Sequence, residues 1–256
     1  MDPVTHSRHI VGSGTPASSW RADPRLASVP AVELDGWFKP GARLVVVAPH
    51  PDDEILACGG LLHLLAARGA LPLIVAVTDG EGSHPDSSQW PPARLQRERA
   101  QETVAALAAL GLGHAAIARL GLPDGGVTAN QAALAEHLRQ LLTELDVVVT
   151  TWRYDGHPDH EATARACASA CKASGARLLE APVWGWHWSA PHDGAMPLQR
   201  AFKIALAPDV VEHKRAALAC FHSQLTPDAS TGAAPVLTQA AIERILNPFE
   251  LVFHDA

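Results

Sequence analysis

The stretch Val45-Val46-Val47-Ala48-Pro49-His50-Pro51-Asp52-Asp53-Glu54 decides the reading of this chain. An apolar run suited to a buried strand ends abruptly in a histidine and three carboxylates. In open α/β sheets ligands bind at the carboxyl ends of strands, so a polar cluster in this position marks a site.

About a hundred residues later the pattern returns. Val147-Val148-Val149 precedes Tyr154-Asp155-Gly156-His157-Pro158-Asp159-His160. Two clusters of histidine and carboxylate hold enough donors for one metal site. His157 and His160 are three apart, so on the first turn of a helix they face the same side. Spacing alone leaves open whether one or both would ligate.

Strand and helix patterns alternate along the chain. Strands are expected at residues 43–49, 71–77, 115–119, 146–151, 177–183 and 202–206, and helices at 54–69, 94–110, 129–143, from His157 to about 173, and at 209–221. This order predicts a single α/β domain, a Rossmann-like and mainly parallel sheet with helices on both faces. No G-x-G-x-x-G follows the first strand, so dinucleotide binding is not implied. Residues 1–40, with Pro16, Pro24, Pro30 and Pro40 and no sustained periodicity, read as an N-terminal extension that wraps the domain at 41–256 or stays mobile. Trp20, Trp37 and Phe38 favour docking of that extension. The loop at 81–92, rich in Gly, Ser, Pro and Asp, is expected to border the site.

The chain has 256 residues, 47% of them hydrophobic, enough for a sizeable core. Its formal charge is −7, from 20 basic and 27 acidic residues without a Lys/Arg run. That balance gives no electrostatic footprint for nucleic acid or an anionic membrane and suits a small neutral or cationic substrate. Cys58, Cys167, Cys171 and Cys220 form no C-x-x-C pair and read as reduced core thiols. The N-terminus lacks the apolar core of a signal peptide and no stretch has the length of a membrane span, so the expectation is a cytoplasmic protein without stable membrane insertion. Oligomeric state is not fixed by the sequence.

Pro49-His50-Pro51-Asp52-Asp53-Glu54 with His157-Pro158-Asp159-His160 resembles the signature pair of the PIG-L/LmbE family, zinc-dependent de-N-acetylases of amino sugars. Thr78-Asp79-Gly80-Glu81-Gly82-Ser83, Arg99 with Glu102, Leu122-Pro123-Asp124, and Lys214 through Ser223-Gln224 extend the likeness, in the family's order, over roughly residues 41–225. The resemblance implies Zn²⁺ held by His50, Asp53 and His160, with Asp52 as general base. It gives His157 a role at the oxyanion or in proton transfer, and Asp159 the task of orienting that imidazole. Arg99 would reach toward substrate hydroxyl or carbonyl groups, and Asp124 would bind the sugar. Some members carry a tyrosine two residues before the first histidine of the second motif, where this chain has Asp155. The implied reaction is removal of an N-acetyl group from an N-acetylglucosamine-type sugar or glycoconjugate.

The chemistry agrees with those residue types. Zn²⁺ with three protein ligands keeps an open coordination position and lowers the pKa of its water to about 7. Two histidines and one carboxylate also suit Fe(II) or another divalent ion. Structural readings stand beside the chemical ones: Asp-Asp-Glu opening a helix is favourable charge at the dipole's positive end, Arg99 and Glu102 fit a solvated helix face, and Asp124 before two glycines fits a turn. Trp184, Trp186 and Trp188 alternate as on a strand, either as a sugar-stacking wall or as a core stripe. Two other functions remain compatible, an amidohydrolase on a non-sugar N-acyl compound and a catalytically silent carbohydrate-binding protein. Asp52 argues against the second, because a binding module needs no general base.

Overall fold

In the computed structural model, which describes residues 8–38 and 41–254, two short helices, α1 (Ala17–Arg21) and α2 (Pro24–Ser28), and a 3-10 turn at Leu34–Gly36 precede the first strand. The predicted boundary at residue 40, Pro40 itself, and both chain ends lie outside the described residues. The chain then runs through β1 (Arg43–Ala48), α3 (Asp53–Ala66), β2 (Leu73–Thr78), α4 (Pro92–Ala109), β3 (Ala116–Leu122), α5 (Val127–Leu141), β4 (Asp146–Thr151) and α6 (Pro158–Ser174). It continues with β5 (Arg177–Ala181), α7 (Gly185–Trp188), β6 (Ala201–Ala205), α8 (Pro208–Leu218), α9 (His222–Leu225), α10 (Gln239–Ile245) and β7 (Phe249–His254).

One sheet holds all seven strands in the order β3-β2-β1-β4-β5-β7-β6. The first five are parallel, and β7 runs antiparallel to both of its neighbours. Alternating side chains of β1 serve two apolar layers, as strand geometry requires. Val45 and Val47 pack with Val75, Val148 and the α5–α6 side, through Leu134, Leu138, Ala166 and Cys167. Leu44 and Val46 face the layer of α3, α4 and α8, with Ile55, Leu61, Leu107 and Ala217. From β1 the chain moves outward to β2 and β3, then returns to β4 on the other side of β1. The loops after β1 and β4 therefore diverge, and a crevice opens between them at the switch point.

The extension shares this core. Trp20, Leu26, Val29 and Leu34 are buried in the layer that contains Val46 and Ile55. Trp20 meets Trp186 edge to face at 5.2 Å and donates its indole N–H to the Trp186 carbonyl at 2.9 Å. Trp37 packs edge to face on Phe202 at 5.8 Å.

Three details differ from the sequence reading. The strand β7 was not expected; it sits inside the sheet between β5 and β6, and these neighbours in the sheet lie far from it in sequence. The tryptophans at 184, 186 and 188 are not on a strand, because β5 ends at Ala181 and the backbone turns into α7. The helix after His50 is broken at Cys58, whose φ of −150° and ψ of 29° are not helical.

That break exposes backbone donors and acceptors inside the core, and a buried ion pair satisfies them. Glu250 on β7 accepts from Gly60 N at 2.7 Å and Leu61 N at 2.8 Å, while Lys214 on α8 donates to Glu250 Oε1 at 2.6 Å and to the Leu56 carbonyl at 3.0 Å. Both side chains are almost fully buried. Removing one partner leaves an uncompensated charge, so Lys214→Met is expected to lower the unfolding free energy by about 3–5 kcal/mol in a urea titration. A loss below about 1 kcal/mol would mean that the pair is not what closes the break.

Among the described residues no helix is long and apolar enough to cross a membrane. Cys58, Cys167 and Cys171 are buried thiols and Cys220 is partly exposed; none is in a disulfide.

Candidate metal and catalytic site

The carboxyl ends of β1 to β4 deliver most of the site. After β1 the chain turns through His50, Pro51 and Asp52, and Asp52 takes φ 115° and ψ −31°. A non-glycine residue at positive φ is strained and persists only where the surroundings hold it. Here Arg99 of α4 does so. Its guanidinium donates to Asp52 Oδ2 at 3.0 Å, to the Pro51 carbonyl at 2.5 Å and to the Gly80 carbonyl at 2.9 Å. Gly80 itself has φ +67°, and a Cβ there would lie 1.9 Å from the Arg99 guanidinium, so only glycine permits this approach.

Arg99 thus borders the cavity but spends its hydrogen bonds on Asp52 and two loop carbonyls. Glu102, three residues on, receives the backbone N–H and the hydroxyl of Ser223, each at 2.7 Å. Both motif residues are buried, which excludes the solvated helix face. The loops after β1, β2 and β3 are tied together as well: Thr78 Oγ1 donates to the Pro49 carbonyl at 2.8 Å, Gly82 N to Asp124 Oδ2 at 2.9 Å, and Asp124 N to Glu81 Oε1 at 3.0 Å.

The switch point brings the two sequence clusters together. Asp53 Oδ2 lies 3.2 Å from His50 Nδ1 and 3.2 Å from His160 Nε2, and it accepts the His50 backbone N–H at 3.0 Å. Donors on a tetrahedral ion with bonds of 2.0–2.1 Å would be about 3.3–3.4 Å apart. His160 Nδ1 is bound to Asp155 Oδ2 at 2.8 Å, which aims Nε2 at the centre, as outer carboxylates do for metal-binding imidazoles. Asp155 is fully buried and also accepts from the backbone N–H groups of Val183, Trp184 and Gly185 at 2.8–2.9 Å. The place where some relatives carry a tyrosine therefore holds an orienting carboxylate, while Tyr154 is largely exposed.

Two donor groups lie within 4.8 Å, one of His50, His157 and His160, the other of His50, Asp124 and Asp159; Asp53 is in neither, so the predicted set His50, Asp53 and His160 meets the tetrahedral spacing only in its two pairs to Asp53. His50 Nε2 is 3.2 Å from Asp124 Oδ1 and 3.4 Å from Asp159 Oδ2 without a well-aligned hydrogen bond. Of the carboxylates gathered here Arg99 pairs only with Asp52, whereas Asp53 and Asp155 lie against His160, and Asp124 and Asp159 against His50. The donor chemistry of histidine nitrogens and carboxylate oxygens fits a divalent metal.

Protonation follows the same geometry. Burial by itself lowers the pKa of His160, but the Asp53 and Asp155 carboxylates outweigh it and lift it to about 9. Asp53 is held well below the usual carboxylate range despite its burial, chiefly by His160 and His50. Burial pushes Asp52 up to about 7, against the opposing charge of Arg99. Burial and the neighbouring Asp52 push Glu54 to about 8, and Glu54 Oε2 accepts the Asp52 backbone N–H at 3.1 Å. His157 moves the other way, to about 4, through burial and the nearby His160 and His50.

His157 caps α6, its Nδ1 accepting the Asp159 backbone N–H at 3.3 Å. That bond assigns the remaining proton to Nε2. The amide of Asp159 binds His157, while its carboxylate accepts from Gly125 N at 2.7 Å and Val127 N at 3.2 Å and faces His50. The sequence reading named Asp155 and Glu54 without giving them a role, and of the apolar cavity wall it offered only Trp184. A cavity of about 320 Å³ opens over these groups, with Ser83, Asp124 and Gln224 among its polar lining and Ile10, Leu56, Trp184, Val236 and Leu237 among its apolar lining. Of the three alternating tryptophans only Trp184 reaches it, since Trp186 is buried against Trp20 and Trp188 stacks on Trp152 at 5.9 Å.

Fold and site together define a Rossmann-like α/β domain with a histidine and aspartate donor cluster at its switch point. Residues 45–171 match the PIG-L family, described as GlcNAc-PI de-N-acetylase. It is 31% identical over 185 residues to a 1D-myo-inositol 2-acetamido-2-deoxy-alpha-D-glucopyranoside deacetylase of Mycolicibacterium gilvum (strain PYR-GCK), a match covering 60% of this chain and 61% of the relative. A Corynebacterium glutamicum protein of the same name matches at 31% over 47% of this chain and 49% of its own length, so the chain spans about half to three-fifths of these curated relatives. Among solved structures, the conserved protein TT1542 from Thermus thermophilus superposes with a TM-score of 0.52 at 31% identity, covering 72% of this chain and 80% of that one. The zinc inhibited form of teicoplanin deacetylase Orf2 shares the fold, with a TM-score of 0.61, 19% identity, and coverage of 82% and 97%.

Proposed function

We propose that this chain is a zinc-dependent hydrolase that removes the N-acetyl group from an N-acetylglucosamine-type substrate. The observation that carries the reading is Asp52, a strained and buried carboxylate fixed by Arg99 beside the convergent His50, Asp53 and His160. The names of the curated relatives support the amino-sugar class. His50, Asp53 and His160 would hold the metal. When bound, Zn²⁺ supplies a Lewis acid for the acyl oxygen and a water of lowered pKa.

In this reading Asp52 takes a proton from water as its oxygen adds to the acetyl carbonyl carbon. The Nε2–H of His157 donates to the carbonyl oxygen as negative charge develops there. Asp52 then returns its proton to the nitrogen as the C–N bond breaks, giving acetate and the free amine. Gln224 Oε1, buried without a partner among the described residues, and Asp124 offer acceptors for sugar hydroxyls. The partner is accordingly a small N-acetylated sugar or glycoconjugate.

The direct experiment is acetate release from N-acetylglucosamine glycosides and from simple acetamides by zinc-loaded protein. Faster hydrolysis of the sugar is expected. Hydrolysis of the simple amides alone would move the function to a non-sugar amidohydrolase, and release from neither would leave a binding protein.

A further inference from the structure

Residues 8–16 lie outside the family match, which starts at residue 45, yet they are bound firmly beside the site. Thr15 N donates to the His187 carbonyl at 2.9 Å and Thr15 Oγ1 to the Ser189 carbonyl at 2.6 Å. Arg244 of α10, only 4% exposed, donates to the Thr15 carbonyl at 2.6 Å, to the Ser13 carbonyl, and to His187 Nδ1 at 3.3 Å. His187 in turn donates from Nε2 to the Val11 carbonyl at 3.0 Å. Without this segment a buried guanidinium would lose two of its acceptors, which is costly for a charged group. Gly14, at φ +64°, fixes the approach, since a Cβ there would sit 2.6 Å from the His187 imidazole.

The anchored segment places Ile10 on the catalytic cavity. Leu56, Trp184 and Leu237 line the same cavity and together border a small adjoining one, so they are neighbours, and Val236 adds to the apolar lining. A bare amino sugar with hydroxyls on all sides leaves such a surface without a matching group. We propose that residues 8–16 form a fixed strap that completes the pocket, and that Ile10 selects substrates whose amino sugar carries an apolar substituent, as aglycone or as acyl chain. The sugar in this statement rests on the function proposed above; the apolar selection rests on the cavity alone.

The test compares kcat/KM for octyl 2-acetamido-2-deoxyglucoside, N-hexanoylglucosamine and free N-acetylglucosamine with the zinc-loaded full chain. One of the apolar substrates is expected to exceed the free sugar by roughly tenfold or more, as even single methylenes count in apolar pockets. The better of the two identifies aglycone or acyl chain as the source. Ile10→Ala, and Gly14→Val, which displaces the strap from His187, should each lower that preference by roughly tenfold. Val11→Ala, whose side chain is 73% exposed, should not change it. Binding of octyl glucoside, followed by tryptophan fluorescence, provides a reading without turnover and should weaken in the same two variants. An unchanged preference and unchanged binding in Ile10→Ala and Gly14→Val would overturn the strap's role. Octyl glucoside binding that depends on Ile10 in a protein that hydrolyses nothing would overturn the hydrolase and keep the selection.

Discussion

Asp52→Asn is expected to lower kcat for N-acetyl hydrolysis by roughly 10²–10⁴ while zinc content and fold stay as in the wild type. The substitution removes a proton acceptor and almost nothing else. Asparagine is among the few residues enriched at positive φ, so the strained backbone at φ 115° is tolerated. Its amide oxygen still offers an acceptor to Arg99, which bridges Asp52, Pro51 and Gly80. Alanine would confound the experiment by adding backbone strain and freeing the guanidinium. Zinc analysis beside steady-state kinetics checks the prediction. Loss of zinc in Asp52→Asn would make Asp52 a ligand, and full activity would remove it from the reaction.

The second large effect is expected at His160, with a graded companion at Asp155. His160→Ala removes one of three proposed donors, so zinc content should fall well below the roughly one equivalent of the wild type and hydrolysis should fall to background. Asp155→Asn keeps all three donors but replaces the carboxylate 2.8 Å from His160 Nδ1, and it should weaken zinc affinity by about 10–100-fold. Competition with a chromogenic chelator measures both. Equal zinc affinity in wild type and Asp155→Asn would show that Asp155 serves only the backbone of residues 183–185. Undiminished zinc in His160→Ala would point to the alternative donors His157, Asp124 or Asp159, which lie within reach.

Much of the site could be read before its geometry was seen, because its donors sit in two short runs, each directly after an apolar strand. The roles of outer residues could not. Asp159 was expected to orient His157, two positions away; the bond between them comes from its amide, because His157 is the cap of α6 and takes an N–H from the first turn. Arg99, expected to reach toward the substrate, lines the cavity, and its hydrogen bonds go to Asp52 and to carbonyls 19 and 48 residues away, partners that no local pattern reveals. Asp155 passed as a departure from the family's tyrosine. Its value lies in four contacts, to His160 and to three amides beyond β5, and only folding brings these together.

The sequence by itself determined what local chemistry and periodicity control: buried strands ending in polar clusters, the helices between them, and two sets of metal-type donors. A strand's burial and a motif's residue types are written within a few positions of each other. Only the tertiary structure decided which clusters meet, since β1 and β4 become neighbours through the order of the sheet, at residues separated by about a hundred positions. It also decided that β7 inserts between β5 and β6, that Lys214 and Glu250 close the break in α3, and that the N-terminal segment borders the cavity. Each of these depends on pairing and burial between distant segments, where the free energy comes from surfaces that exist only once the chain has folded.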